Sequence, residues 1–145
     1  MKLPSPRRGS VIHYAYLWAN EEDRGREEAR KDRPVLVLAL SVIQSYGVTE
    51  ILVVAITHSA PAKESDAVAL PPAAKRQLGL DASPSWIVTT EANAFLWPGP
   101  DLRPVPGRRP PTVLYGEIPD PLLRKVARSF LANREKQRSR LVRRT

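Results

Sequence analysis

Two runs of six apolar residues, Val35–Leu40 (VLVLAL) and Ile51–Ile56 (ILVVAI), stand ten residues apart in a chain of 145. A run of that length suits a strand buried on both faces and is too short for a lone helix. The chain also carries 15 prolines. They fall in loops and at strand ends, which argues against a helical bundle. The length suits one domain with a real core.

The first run has a distinctive approach, Arg30-Lys31-Asp32-Arg33-Pro34. Pro34 offers no ladder N–H, so it belongs at a strand's first residue, and it biases Arg33 toward an extended backbone. A guanidinium is thereby held in restricted geometry at the mouth of a core strand. The second run ends abruptly in Thr57-His58-Ser59, so each core strand has a polar cluster at one end.

Around these runs, Val11–Trp18 (VIHYAYLW), introduced by Gly9, reads as a first strand. Residues 19–31 hold nine charges in 13 positions and read as a solvated loop or short charged helix. A short strand is expected near Val68–Leu70, then a helical turn opened by Pro71-Pro72 and stopped at Gly79. Trp86–Thr90 and Asn93–Trp97 read as strand with an irregularity between them. Residues 98–111 form a proline-rich loop, and Thr112–Ile118 a last strand. Asp120 and Pro121 are expected as N-cap and first helical residue. Leu122, Leu123, Val126, Ala127, Phe130 and Leu131 then recur at helical spacing. Several short strands without a β-α rhythm predict a mainly β chain with a C-terminal helix, its sheet strongly bent or closed into a barrel.

The net charge of +8 resides in one place. Residues 124–144 hold nine Lys/Arg and one acid, Glu135, leaving 14 basic and 14 acidic residues elsewhere. Residues 1–133 therefore read as the domain and 134–145 as a basic tail. Such a tail suits a polyanion but gives affinity without selectivity. Absence of cysteine removes disulfides and thiolate metal sites, and no apolar run approaches a membrane span, so a cytoplasmic protein is expected. There is no phosphate-binding glycine loop, dinucleotide fingerprint or nucleophile elbow. His13 and His58 lie 45 residues apart without an evident third ligand, so no metal or other cofactor is expected.

Three segments, in order, carry a family resemblance: the opening GSVIHYAYL, the charged loop running into KDRPVLVLAL, and VVAITHS. The chain resembles the PemK/MazF toxins of bacterial type II toxin–antitoxin pairs, well over residues 9–60 and in outline beyond. The resemblance implies an SH3-like, strongly twisted β-barrel of the MazF/CcdB type, usually a homodimer. It implies a metal-independent endoribonuclease cutting single-stranded RNA at short sequences, restrained by a cognate antitoxin. Arg33 and Thr57 match the family's catalytic arginine and threonine.

The residue types suit that chemistry. RNA supplies its own nucleophile, the 2′-OH, so the protein must align it, neutralise the phosphorane oxygens and protonate the leaving 5′ oxygen. Arg33 can grip two phosphate oxygens through its planar fork, and Thr57 offers a hydroxyl. Candidates for the base are His58, by its intrinsic pKa, and the loop acids Glu21, Glu22, Glu27 and Glu28. Ser59, Glu91, Asn93 and Arg103 are further candidate RNA contacts. Against these stand plainer readings. Arg33 could be a strand-end charge and Thr57 a strand-end hydrogen bonder. Consecutive residues Thr57 and His58 point to opposite faces. Tyr14, Tyr16 and Trp18 share a face with Ile12, where core or dimer packing is expected over base stacking. Two rival functions remain: a protein inhibitor on the same fold, as CcdB toxins act on DNA gyrase, and a non-catalytic RNA-binding module driven by the tail.

Overall fold

The computed structural model describes residues 1, 3–20, 31–43, 46–136 and 139–144. Among these residues eight strands and two α-helices are formed. The strands are β1 (Ser10–Tyr16), β2 (Lys31–Ile43), β3 (Val48–Thr57), β4 (Ala67–Ala69), β5 (Trp86–Val88), β6 (Glu91–Leu96), β7 (Leu114–Glu117) and β8 (Arg140–Arg143). The helices are α1 (Pro72–Leu78) and α2 (Asp120–Glu135). Neither is long and apolar enough to cross a membrane.

The two apolar runs form the centre of one sheet. Strands β2 and β3 pair antiparallel, Val35 opposite Ala55 and Leu36 opposite Val54. Both faces of this ladder are covered. Leu36, Leu38, Val54 and Ile56 join the core beneath α2, while Val35, Val37, Ile51, Val53 and Ala55 pack on the other face with Ile12, Tyr14, Tyr16 and Phe95. That two-sided burial is why these runs lack polar alternation. Tyr14 and Phe95 stack at 4.5 Å, so the β1 aromatics are core, as expected.

The sheet runs β4-β5-β3-β2-β1-β7, with β6 also on β3 and β8 on β6. Strand β3 divides its outer edge: Glu50–Val53 pair with β6, whereas Ile56 and Thr57 pair with β5. The irregularity expected between Thr90 and Asn93 is this change of position along β3. Strand β3 therefore changes partner before it reaches Thr57.

Among the described residues the sheet does not close into a barrel. Arg108 instead ties β7 to the end of α1. Its guanidinium donates to the carbonyls of Leu114 (3.2 Å) and Tyr115 (3.0 Å) and to Leu78 at the end of α1 (2.8 Å). A side chain thus bridges the gap between strand and helix. The left-handed Gly79 (φ 72°) ends α1 beside it, and a Cβ there would lie 2.8 Å from Arg108 Nη2.

Two expectations near the C-terminus change. Pro119 caps α2 in extended conformation, putting Asp120 and Pro121 inside the first turn rather than at cap and first position. Leu122, Leu123, Val126 and Phe130 are buried, but Leu131 is 61% exposed at the edge of the apolar stripe. Beyond α2 the chain does not continue as a free basic extension. Residues 140–143 form β8, parallel to β6, with Leu141 opposite Ala92 and Val142 opposite Asn93. Arg144 is then drawn inward, donating to the carbonyl of Ala15 (3.0 Å), Asn93 Oδ1 (3.3 Å) and Asp101 Oδ2 (2.8 Å).

Candidate functional site

Arg33 and Thr57 lie two residues beyond the Val35–Ala55 pair, backward along β2 and forward along β3. Pro34 is not the strand's first residue, contrary to the expectation from its missing N–H. Strand β2 begins at Lys31, and Pro34 stands opposite His13 inside the β1–β2 ladder, where its lack of an N–H is tolerated because the β2–β3 pairing stops at Val35. Strand alternation places both side chains on the face of Val35 and Ala55. The guanidinium of Arg33 accordingly lies over the Trp18 ring, 4.9 Å from its centroid. The cation is thus held on an aromatic face, with its Nε buried.

The end of the β2–β3 ladder opens into a groove of about 500 Å³. Lys31, Asp32, Arg33, Thr57, His58 and Ser59 line one side, and Lys75, Asp81, Ser85, Arg108, His13 and Tyr115 contribute to the rest. Four Lys/Arg against two Asp give the lining a cationic balance suited to a polyanion. The groove wraps the end of the sheet, so residues from both faces reach it despite their alternation.

Thr57 has a defined hydroxyl. The backbone N–H of Ser59 donates to Thr57 Oγ1 at 3.1 Å, which leaves the hydroxyl proton available to another acceptor. His58 is paired: its Nε2 lies 3.1 Å from the Asp81 carboxylate. Asp81 is held by the buried Lys75 ammonium at 3.0 Å and by the N–H of Ser83 at 3.0 Å. The Lys75 bond is the main reason the Asp81 carboxyl sits below its ordinary pKa. An ionised carboxylate only accepts, so His58 Nε2 carries the hydrogen and Nδ1 is the basic nitrogen of the neutral ring. Lys75 also donates to Ser85 Oγ at 2.7 Å and to the Ser83 carbonyl.

The other candidates are placed differently. Glu91 and Asn93 lie on β6 and do not line the groove. Glu91 Oε1 accepts from the Tyr16 hydroxyl (3.1 Å) and the Ala19 N–H (3.0 Å). Burial, then the neighbouring Glu91, pushes the Tyr16 phenol well above its ordinary pKa, keeping it a donor. Asn93 is fully buried, with Oδ1 accepting from Leu17 N–H (3.0 Å) and Nδ2 donating to the Leu17 carbonyl (2.8 Å). Arg103 touches the groove's rim through Asp32, at 3.7 Å. Ser59 is exposed at the mouth. Glu21, Glu22, Glu27 and Glu28 lie outside the described residues. His13 is buried, its Nδ1 2.9 Å from the Pro104 carbonyl and its ring edge-on to Tyr115. Among the described residues, no three of His, Asp or Glu are grouped to hold a metal ion.

Sequence reasoning missed Lys75, Asp81 and Arg108. Lys75 and Asp81 sit in a stretch that reads as a polar helical turn and loop, and Asp81 is 23 residues from His58. The one available signal was Gly79, whose left-handed turn brings Asp81 back against Lys75.

Residues 7–95 match the family model described as PemK-like, MazF-like toxin of type II toxin–antitoxin system. No curated protein matches the chain.

Proposed function

The chain belongs to the PemK-like, MazF-like toxin family of type II toxin–antitoxin systems, and from that premise we propose that it is an endoribonuclease acting on single-stranded RNA at the Arg33–Thr57 groove. The family implies an antitoxin partner. We further propose that the antitoxin restrains the toxin by covering this groove, and that the working form is a homodimer in the cytoplasm.

The observation that carries the reading is the convergence of Arg33 and Thr57 on paired strand ends in a cationic groove. In the reaction, the 2′-OH gives its proton to a base and its oxygen attacks the adjacent phosphorus. The P–O5′ bond then breaks and the 5′ oxygen takes up a proton. The products are a 2′,3′-cyclic phosphate and a 5′-OH end. Arg33 offers parallel N–H groups to two phosphate oxygens, neutralising charge as it develops in the phosphorane. It acts by charge and paired hydrogen bonds, not by proton transfer. Thr57, its oxygen lone pair engaged by Ser59 N–H, directs its O–H toward a non-bridging oxygen. His58 presents Nδ1 as the base, held by Asp81, within the same groove.

The test incubates the protein with a long single-stranded RNA in EDTA, beside Arg33→Ala. Discrete cuts leaving 5′-OH ends, lost in the variant, support the reading. Absence of cuts across varied RNAs would overturn it. Toxicity indifferent to both Arg33→Ala and Thr57→Ala would point instead to inhibition of a protein target.

A further inference from the structure

Trp86 stands directly opposite Thr57 in the β3–β5 ladder and directly opposite Ala69 in the β4–β5 ladder. Opposed residues share a face, with Cβ atoms about 5 Å apart. The indole is therefore flanked by a threonine on one side and a single exposed methyl on the other. Neither neighbour is large enough to cover the ring, which is left half-buried while its chain neighbour Ile87 is wholly buried on the opposite face. Trp86 lines a cleft of about 370 Å³ with Leu70, Pro72 and Pro84. That cleft shares Lys75, Asp81 and Ser85 with the cationic groove, so the two are adjoining parts of one surface.

We propose that Trp86 is a nucleobase-stacking subsite, seating the base of a nucleotide whose phosphate lies at Thr57. This rests on the endoribonuclease reading of the groove. A single-stranded RNA presents a charged phosphate and a flat apolar base side by side, and the wall offers the complementary pair at one cross-strand spacing. Of the two cations lining the cleft, Lys75 is held by Asp81 at 3.0 Å and Ser85 at 2.7 Å, and the exposed Arg76 can reach a neighbouring phosphate, while the wall around the indole is formed by Leu70, Pro72 and Pro84. An apolar slot opening beside a phosphate site therefore favours a stacked base. Because every base has a π-face, the subsite gives affinity for unpaired strands with modest sequence preference.

The experiment compares two 12-nucleotide probes with 2′-O-methyl sugars, which cannot be cut: a mixed-sequence pool, and the same backbone without bases. The native chain should bind the base-bearing pool about ten-fold or more tightly than the abasic one. Trp86→Ala should erase most of that preference while leaving abasic binding and its salt dependence unchanged, and Trp86→Phe should retain it. Equal binding of both probes by the native chain overturns the proposal whether or not Trp86→Ala folds. So does a preference that survives Trp86→Ala. Cleavage of ordinary RNA by the native chain is scored separately, so failure of this subsite is distinct from failure of the endoribonuclease reading.

Discussion

Arg144 donates to the carboxylate of Asp101 across 2.8 Å, and its side chain is 8% exposed. This buried pair joins the end of the chain to the loop after β6. It also brings the guanidinium 5.9 Å from the Tyr14 ring centre and within bonding distance of Ala15 and Asn93. Strand β8 and Arg144 are thus part of the domain's packing.

Replacing Arg144 by Ala leaves the largely buried Asp101 carboxylate to the more distant Arg103, at 3.9 Å, and leaves the Ala15 carbonyl short of a donor. The expected cost is about 2–3 kcal/mol, read as a lower urea midpoint. The adjacent Arg143 pairs with Glu50 at 2.7 Å but is 68% exposed. Arg143→Ala should change stability by less than about 1 kcal/mol. Equal effects of the two variants would contradict the packing role of Arg144.

These neighbours also show where sequence patterning succeeds and where it stops. The β2–β3 pair was legible because burial on both faces leaves an unbroken apolar run, which few other local structures produce. Helix α2 was legible from its stripe, although Leu131 at the stripe's edge faces solvent. Strand β8 was not: RLVR has two apolar residues among cations, and its strand state comes from the open edge of β6 and the Arg144–Asp101 bond. The tie between β7 and α1 was likewise beyond local pattern, because it is made by Arg108 from inside a proline-rich loop. Within the site, Arg33 and Thr57 stood at visible strand ends. Asp81 acquires its place through contacts with Lys75 and His58 that no spacing announces.

Asn93 satisfies both backbone groups of Leu17 in a fully buried setting. Asn93→Ala leaves a buried N–H and a buried C=O without that partner, each carrying a desolvation penalty. A loss of about 2–4 kcal/mol is expected, measured by denaturant unfolding. Asn93→Ala should therefore act first through the amount of folded protein. A variant of native stability with lost RNA binding would instead make Asn93 a contact residue.

Asp81 supplies a pH prediction. Its carboxyl is held below the ordinary value of 3.8, chiefly by the Lys75 hydrogen bond. A group depressed in the folded state adds stability that is fully present above its unfolded pKa and lost as pH falls through the folded one. The difference in Tm between the native chain and Asp81→Asn should be level above about pH 5 and shrink as pH drops below 4. Lys75→Met should flatten the same acid-side dependence by removing its main cause. A difference that grows on acidification would show the opposite sign and contradict the Lys75–Asp81 assignment.

Arg33 carries the sharpest kinetic prediction, because charge and geometry can be separated there. Its guanidinium lies 4.9 Å over Trp18 at the end of β2, where Pro34 restricts the backbone. If the planar fork grips two phosphate oxygens, Arg33→Ala should lower kcat by about 10²–10³-fold. Arg33→Lys keeps the charge but loses the paired N–H groups, so it should recover less than about ten-fold of that loss. Trp18→Phe retains an aromatic face and should stay closer to the native rate than Trp18→Ala, which leaves the cation without its platform. The measurement uses a chimeric oligonucleotide with one ribonucleotide at a mapped cut, so kcat and KM are resolved for a single bond. Full activity in Arg33→Lys would reduce Arg33 to a general positive charge, while a change confined to KM would make it a binding residue outside the chemical step.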